Sequence, residues 1–293
     1  MVYLGICFGI ILCIFLFIMW MHITNNHFRI EYYNVEAEKL PENFNGSKIV
    51  LITDLHNHSF GEGNCRLLEA INKENPDYIM IAGDLLIKGQ SFATETALNL
   101  LEKLCEKYPV YYAPGNHEKR LGELEETKHD FRTGYIEKIK KIGVKYLVNE
   151  SEFLKKGNQS ICISGLDIDS IYYKKGMHRP KLNKEEMDGL LAGQNKQTYR
   201  ILLAHNPEYF ETYAKWGADL VLSGHFHGGI MILPLIGGVI APSFQMFPKY
   251  DFGQFQLGNS TMILSRGLAV HSIKIRIFNV PELSVITLQN HHG

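Results

Sequence analysis

"KIVLITDLHNH", residues 48–58, is an apolar run that stops at a carboxylate and is followed at once by two imidazoles. A short stretch of Ile, Val and Leu broken abruptly at Asp54 is how a strand buried on both faces ends. The same event recurs. After a segment that places Leu67, Leu68, Ala70 and Ile71 on one helical face, "PDYIMIAGDLL", residues 76–86, runs apolar into Gly83-Asp84. A second amphipathic helix, from about Ser91 to Lys107, leads to "PVYYAPGNHEK", residues 109–119, which ends its strand at Gly115-Asn116-His117-Glu118. Further on, "TYRILLAHNPEYF", residues 198–210, delivers His205, and "DLVLSGHFHGG", residues 219–229, delivers His225 and His227. Alternating strands and helices predict an α/β fold with parallel strands, whose ligand crevice lies outside the carboxyl ends because only the end loops converge there. The polar clusters at the five strand ends are therefore expected to meet.

The rest of the chain bounds this picture. It has 293 residues, 45% of them hydrophobic, enough for one large core. Thirty basic and 31 acidic side chains leave a formal net charge of −1, so no overall basic field draws the protein to nucleic acid, and the balance speaks against a nucleic-acid partner. Residues 2–21, "VYLGICFGIILCIFLFIMWM", carry no charge and match the roughly 20 apolar residues that cross a bilayer. They read as a transmembrane anchor contacting the lipid bilayer. A signal peptide is the competing reading, but no basic region precedes the run and no small-residue cleavage site follows it. Arg29 is offset by Glu31, so charge does not fix which side of the membrane the remainder occupies. The expected division is an anchor over 1–23, a connector over 24–45 with an edge strand near 28–33, and a catalytic domain over 46–293. Two of the five cysteines lie in the apolar run; the other three, Cys65, Cys105 and Cys162, are too far apart for metal spacing and cannot close a disulfide framework.

Each strand-end residue has an ordinary alternative. Asp54 and Asp84 fit helix N-caps, Asn116 after Gly115 fits a turn, and His58 fits the surface. Taken together they do not, because caps and turns have no need to be Asp, His and Asn at every strand end. Metal binding does need those types. Carboxylates, imidazoles and an amide carbonyl, with no thiolate, suit Mn, Fe or Zn ions rather than a structural zinc site. Asp54, His56, Asp84, Asn116, His205, His225 and His227 make seven donors, too many for one ion with an open position. Two divalent metal ions sharing a carboxylate fit, and such a pair suits hydrolysis of phosphate esters.

The blocks Asp54-Leu55-His56, Gly83-Asp84, Gly115-Asn116-His117-Glu118, His205 and Gly224-His225-Phe226-His227 resemble, in order, those of the calcineurin-like metallophosphoesterases, and with the apolar N-terminus the chain is similar to that family's membrane-anchored branch. The resemblance implies a four-layer α/β/β/α sandwich of two mixed β-sheets flanked by helices. It implies one ion on Asp54, His56, Asp84 and His227, and a second on Asp84, Asn116, His205 and His225. It makes His117 the acid that protonates the leaving oxygen, which suits imidazole near neutral pH. Glu118 is expected to orient His117 or cap the turn rather than ligate. Arg266 and Arg276 would meet phosphate or form structural ion pairs. One departure is visible: Ile230 stands after the histidines where relatives of this branch carry a polar Gln.

The expected activity is hydrolysis of phosphoester or phosphoanhydride bonds, and anchoring points to a lipid-linked or cell-envelope phosphate as substrate. The alternative is a catalytically silent, membrane-anchored metal-binding scaffold of the same fold. Residues 121–133 and 168–198 read as insertions that shape specificity, and nothing in the sequence speaks to oligomeric state.

Overall fold

The computed structural model describes residues 2–87, 94–121, 128–174, 180–191, 197–229, 231–233, 237–239, 246–270 and 275–290. Ile230, parts of the two insertions (122–127, 175–179 and 192–196) and the C-terminal residues 291–293 lie outside the described residues.

The N-terminal half runs α1 (Val2–Asn25), β1 (Arg29–Glu36), β2 (Lys48–Ile52), α2 (Cys65–Glu74), β3 (Tyr78–Ala82), α3 (Glu95–Cys105), β4 (Val110–Ala113), α4 (Asn116–Lys119), α5 (Lys128–Ile142) and β5 (Lys145–Tyr146). The chain continues with β6 (Glu150–Lys156), β7 (Gln159–Leu166), α6 (Lys184–Leu190), β8 (Arg200–Ala204), α7 (Phe210–Trp216), β9 (Leu220–Ser223), β10 (Ile232–Leu233), β11 (Gly237–Gly238), β12 (Gly253–Leu257), β13 (Ser260–Leu264) and β14 (Glu282–Gln289). The strands form two six-stranded mixed sheets, ordered β1-β14-β2-β3-β4-β5 and β12-β13-β9-β8-β7-β6, beside the small pair β10-β11. β2 to β5 run parallel, as do β7, β8, β9 and β13, while β14 and β6 run against their neighbours β2 and β7.

The layering follows from the two-residue period of a strand. In β2, Val50 and Ile52 pack outward with Leu67 and Ile71 of α2 and Leu101 of α3, whereas Ile49 and Leu51 face inward. The inward residues meet Ile201 and Leu203 of β8 and Leu220 and Leu222 of β9 in the layer between the sheets. Alternate residues of the second sheet, Leu202, Val221 and Met262, pack outward against Phe210 and Tyr213 of α7 and Met187 of α6. Helices, sheet, sheet, helices is the expected sandwich, and apolar residues on both faces explain why the strands read as unbroken apolar runs.

Residues 24–45 are more than a connector. β1 pairs in parallel with β14 over eight positions, from Arg29↔Glu282 to Glu36↔Gln289, and Val35, Leu40 and Phe44 are buried in the layer between the sheets. The polar, aromatic alternation of "RIEYYNVE" reflects an edge strand with one wet face rather than a linker. α1 is long and apolar enough to cross a membrane, and nearly all of it is exposed until Met21 and Thr24, which are buried at its last turns.

Candidate metal centre

β2, β3 and β4 of one sheet and β8 and β9 of the other all deliver their carboxyl ends to the same edge of the sandwich. Asp54 and His56 follow β2, Asp84 follows β3, Asn116 and His117 open α4 after β4, His205 follows β8, and His225 and His227 follow β9. One atom is the focus. Asp84 Oδ2 lies 3.0 Å from His205 Nε2, 3.9 Å from His117 Nε2 and 4.0 Å from His56 Nε2. Asp54 Oδ1 lies 3.7, 3.8 and 3.9 Å from the Nε2 atoms of His227, His56 and His205. The rings of His205 and His225 stand 5.1 Å apart, and Tyr173 flanks His225 at 5.3 Å between ring centres.

Local backbone geometry aims these groups. Asp54, His56, Asp84, His225 and His227 all have positive φ, between 48° and 74°, a left-handed conformation that turns each chain sharply out of its strand. Such residues persist where surrounding contacts over-determine them. Here His56 and Asp54 donate backbone N–H groups to Asp84 and Gly83 carbonyls, locking the first two loops together. The Asp84 Oδ1 atom accepts the His117 N–H at 2.9 Å, and the Asp54 carboxylate accepts the His225 N–H at 3.1–3.2 Å. Glu118, wholly buried, binds three backbone N–H groups, those of Asp84 (2.8 Å), Gly115 (2.9 Å) and Leu86 (3.1 Å), so it organises loops rather than offering itself as a donor. Close approach demands glycine at two points: a Cβ on Gly115 would stand 2.2 Å from Asp84 Oδ1, and one on Gly224 2.3 Å from Asp54 Oδ2. His205 Nδ1 donates to the Ala82 carbonyl at 2.7 Å, which directs Nε2 toward Asp84.

The electrostatics separate the two aspartates. Burial pushes the Asp54 carboxyl up to about 7, with His205 opposing. Burial would raise Asp84 too, but the attraction of His205 and His117 outweighs it and holds this carboxyl well below the usual range. In His205 burial favours the neutral ring, yet the Asp84 carboxylate overrides it and raises the imidazole to about 10.

The residues fit divalent metal ions. Asp54, His56 and His227 form one group whose donor atoms lie within 4.8 Å of one another, Asp84, His205 and His225 a second, and His56, Asp84 and His117 a third that joins them. Donors about 2.0–2.2 Å from one ion stand roughly 3–3.5 Å apart, close to the spacings seen around Asp84. Asn116 Oδ1 is buried with no hydrogen-bond partner, an acceptor of the kind a cation satisfies. Six of the seven expected donors and His117 are thus brought together, in groups drawn from both sheets, and Asn116 stands beside His117 in sequence.

The arginines are elsewhere. Arg276 is fully buried and its Nη2 donates to the carbonyls of Arg266, Gly267 and Ala269, bracing the loop that lies against Asp54. Arg266 faces Glu31 (3.7 Å) and Glu282 (3.8 Å) and lies over the Phe252 ring, a structural role. Asn279, which the sequence did not single out, donates through Nδ2 to the His227 and Gly229 carbonyls, both at 2.6 Å. Its only sequence signal is an Asn ahead of Pro281 in an apolar tail.

Two stacked mixed sheets pool buried carboxylates and imidazoles at one edge, a donor set suited to divalent metal ions and, with them, to phosphoester hydrolysis. Residues 47–229 match the calcineurin-like phosphoesterase family, and the chain belongs to it. It is 26% identical to the uncharacterized metallophosphoesterase YkuE of Bacillus subtilis over 88% of this chain and 84% of that protein. It is 28% identical over 87% of its length to the transmembrane protein with metallophosphoesterase domain of Danio rerio, of which it covers 56%. It is 26% identical to the phosphodiesterase YaeI of Escherichia coli, over 82% of each.

Proposed function

We propose that the protein is a membrane-anchored, dinuclear phosphodiesterase whose substrate is a lipid-linked or cell-envelope phosphoester. Asp54, His56, Asp84 and His227 hold one divalent ion in this reading, and Asp84, Asn116, His205 and His225 hold the second. The observation that carries it is the convergence of three imidazole Nε2 atoms on the single oxygen Asp84 Oδ2 at 3.0–4.0 Å, the place for a shared carboxylate. When bound, the ions would polarise the phosphate oxygens and lower the pKa of a water so that it attacks at neutral pH.

The chain's own part is positioning and proton transfer. His117 is the general acid: its Nε2 faces the centre while its backbone N–H is fixed by Asp84, so the ring is held where a leaving alkoxide would need a proton. Tyr173 packs against His225 and most of the donors are buried among the strand-end loops, where a low dielectric strengthens each charge interaction. The apolar α1 and the name of the Danio rerio relative support an anchor, and the name of YaeI supports a diester.

The test uses the full chain, since β1 belongs to the sheet. Protein in detergent with Mn²⁺ should hydrolyse a chromogenic phosphodiester. Absence of turnover on mono-, diester and pyrophosphate substrates alike, with metal bound, would sink the reading.

A further inference from the structure

From Gly228 to Pro248 the sequence has no Asp, Glu, Lys, Arg or His, although this stretch begins immediately after His227. In a water-soluble fold so apolar a segment belongs in the core. Val239 and the glycines 228, 229 and 238 do lie there, but the larger side chains around them do not: Met246 and Phe247 are 62% and 56% exposed, and Met231, Ile232 and Leu233 are half-buried. Phe278, 66% exposed, belongs to the same surface. Backbone pairing links them side by side, Phe247 N–H to Val239, Val239 N–H to Met231, and Met231 bridged to Ile277. At about 4.8 Å per step this places Phe247 roughly 15 Å from the Ile277-Phe278 strand.

The backbone at these rings is itself unusual. Of the eleven non-glycine residues with positive φ among the described residues, nine are Asp, Asn or His, which tolerate that conformation; the other two are Phe247 and Phe278. A bulky side chain there is disfavoured, and in both cases the result is a ring presented outward.

This surface adjoins α1. Trp20, in the last turns of α1, contacts Phe278 with ring centres 5.8 Å apart, and Met21 and Thr24 beside it are buried against the domain. Only residues 26–28 separate α1 from β1, a reach of about 10 Å at most. Phe28 in that short link packs on Phe60 at 4.9 Å, and the Arg29 N–H is bound by the Pro281 carbonyl at 2.9 Å. A domain held this closely to a membrane-crossing helix keeps the adjoining face at the bilayer, and aromatic residues are the side chains favoured at that level.

We infer that Met246, Phe247 and Phe278, next to Trp20 of the anchor, form a second membrane contact, an apolar lip seated in the bilayer interface, which holds the mouth of the metal centre against the lipid surface. The link to the centre is direct: Asn279, next to Phe278, carries the His227 and Gly229 carbonyls. A substrate phosphate would then enter from the headgroup layer rather than from bulk water. The lip rests on the anchor reading above, and only its consequence for substrate entry rests on the phosphoesterase reading.

The experiment reads bilayer contact without activity. Full-length protein, its intact mass confirming that α1 is retained, is reconstituted in phosphatidylethanolamine–phosphatidylglycerol vesicles as the parent and as Phe247→Trp. Emission from the added indole, taken as the difference from the parent, should be largely lost with brominated lipid and little changed by iodide. Quenching by iodide instead places the residue in water and overturns the lip. Protection from both reagents places it under protein, such as a second copy, and overturns it equally. Met246→Asp/Phe247→Asp should keep turnover of a soluble chromogenic diester while losing turnover of a headgroup diester in the vesicles severalfold. Equal loss on both substrates, or on neither, overturns lateral entry. If the parent hydrolyses no diester at all, the phosphoesterase reading fails while the quenching result stands.

Discussion

Two histidines in contact with Asp84 have different work. His117 reaches the centre from a backbone N–H already tied to Asp84, so in the proposed mechanism truncating its ring removes the proton donor without loosening the donor cluster. His117→Ala should lower kcat by about 10²–10⁴-fold, the usual range for general acid catalysis, with metal content by elemental analysis near that of the parent. A variant that instead loses its metal would make His117 a ligand. His205 is the opposite case. Raised to about 10 by Asp84, it carries a proton at neutral pH before metal arrives, and as the proposed ligand it must give that proton up from Nε2. Below pH 10 metal affinity should therefore rise with pH, by about tenfold per unit for each proton displaced. Calorimetry in buffers of different ionisation enthalpy should detect proton release on Mn²⁺ uptake; an affinity flat from pH 6 to 8 would contradict it.

At the scale of elements, the site depends on strand ends meeting as much as on the donors. Glu118 draws the N–H groups of Asp84, Leu86 and Gly115 onto one carboxylate and so joins the loops after β3 and β4. Glu118→Gln turns one of its two acceptor oxygens into a donor facing N–H groups, leaving at least one buried donor without a partner at about 1–3 kcal/mol. A lower Tm together with weaker metal binding is expected, and an unchanged Tm would show that the loops are held by other contacts. The converging carboxylates and imidazoles were legible in the sequence because a charge or imidazole interrupting an apolar run is a local event. The two-sheet arrangement was legible only through resemblance, since nothing local distinguishes "KIVLI" of the first sheet from "DLVLS" of the second. The carbonyl-bracing role of Arg276, and Asn279 altogether, were not legible, because both act on backbone carbonyls, and carbonyls leave no mark in a side-chain pattern.

Over the whole molecule, the boundary of the folded unit lies earlier than the motifs alone indicate. Val35, Leu40 and Phe44 are buried between the sheets, and at about 1.5–3 kcal/mol each their removal costs about 5–9 kcal/mol, comparable with the entire stability of many domains. A fragment of residues 46–293 should fail to give a cooperative thermal transition, whereas 26–293 should show one; equal transitions in calorimetry would demote β1 to decoration. The division of the donor set between the sheets bears on biosynthesis. Asp54, His56, Asp84 and Asn116 emerge from the ribosome with β2, β3 and β4, and His205, His225 and His227 only with β8 and β9, after more than half the chain is made. No chain that stops short of His227 can display the full constellation, so stray cations meeting the nascent polypeptide before that point find a half-built clasp, and selection among metals is deferred until the two sheets have closed on each other.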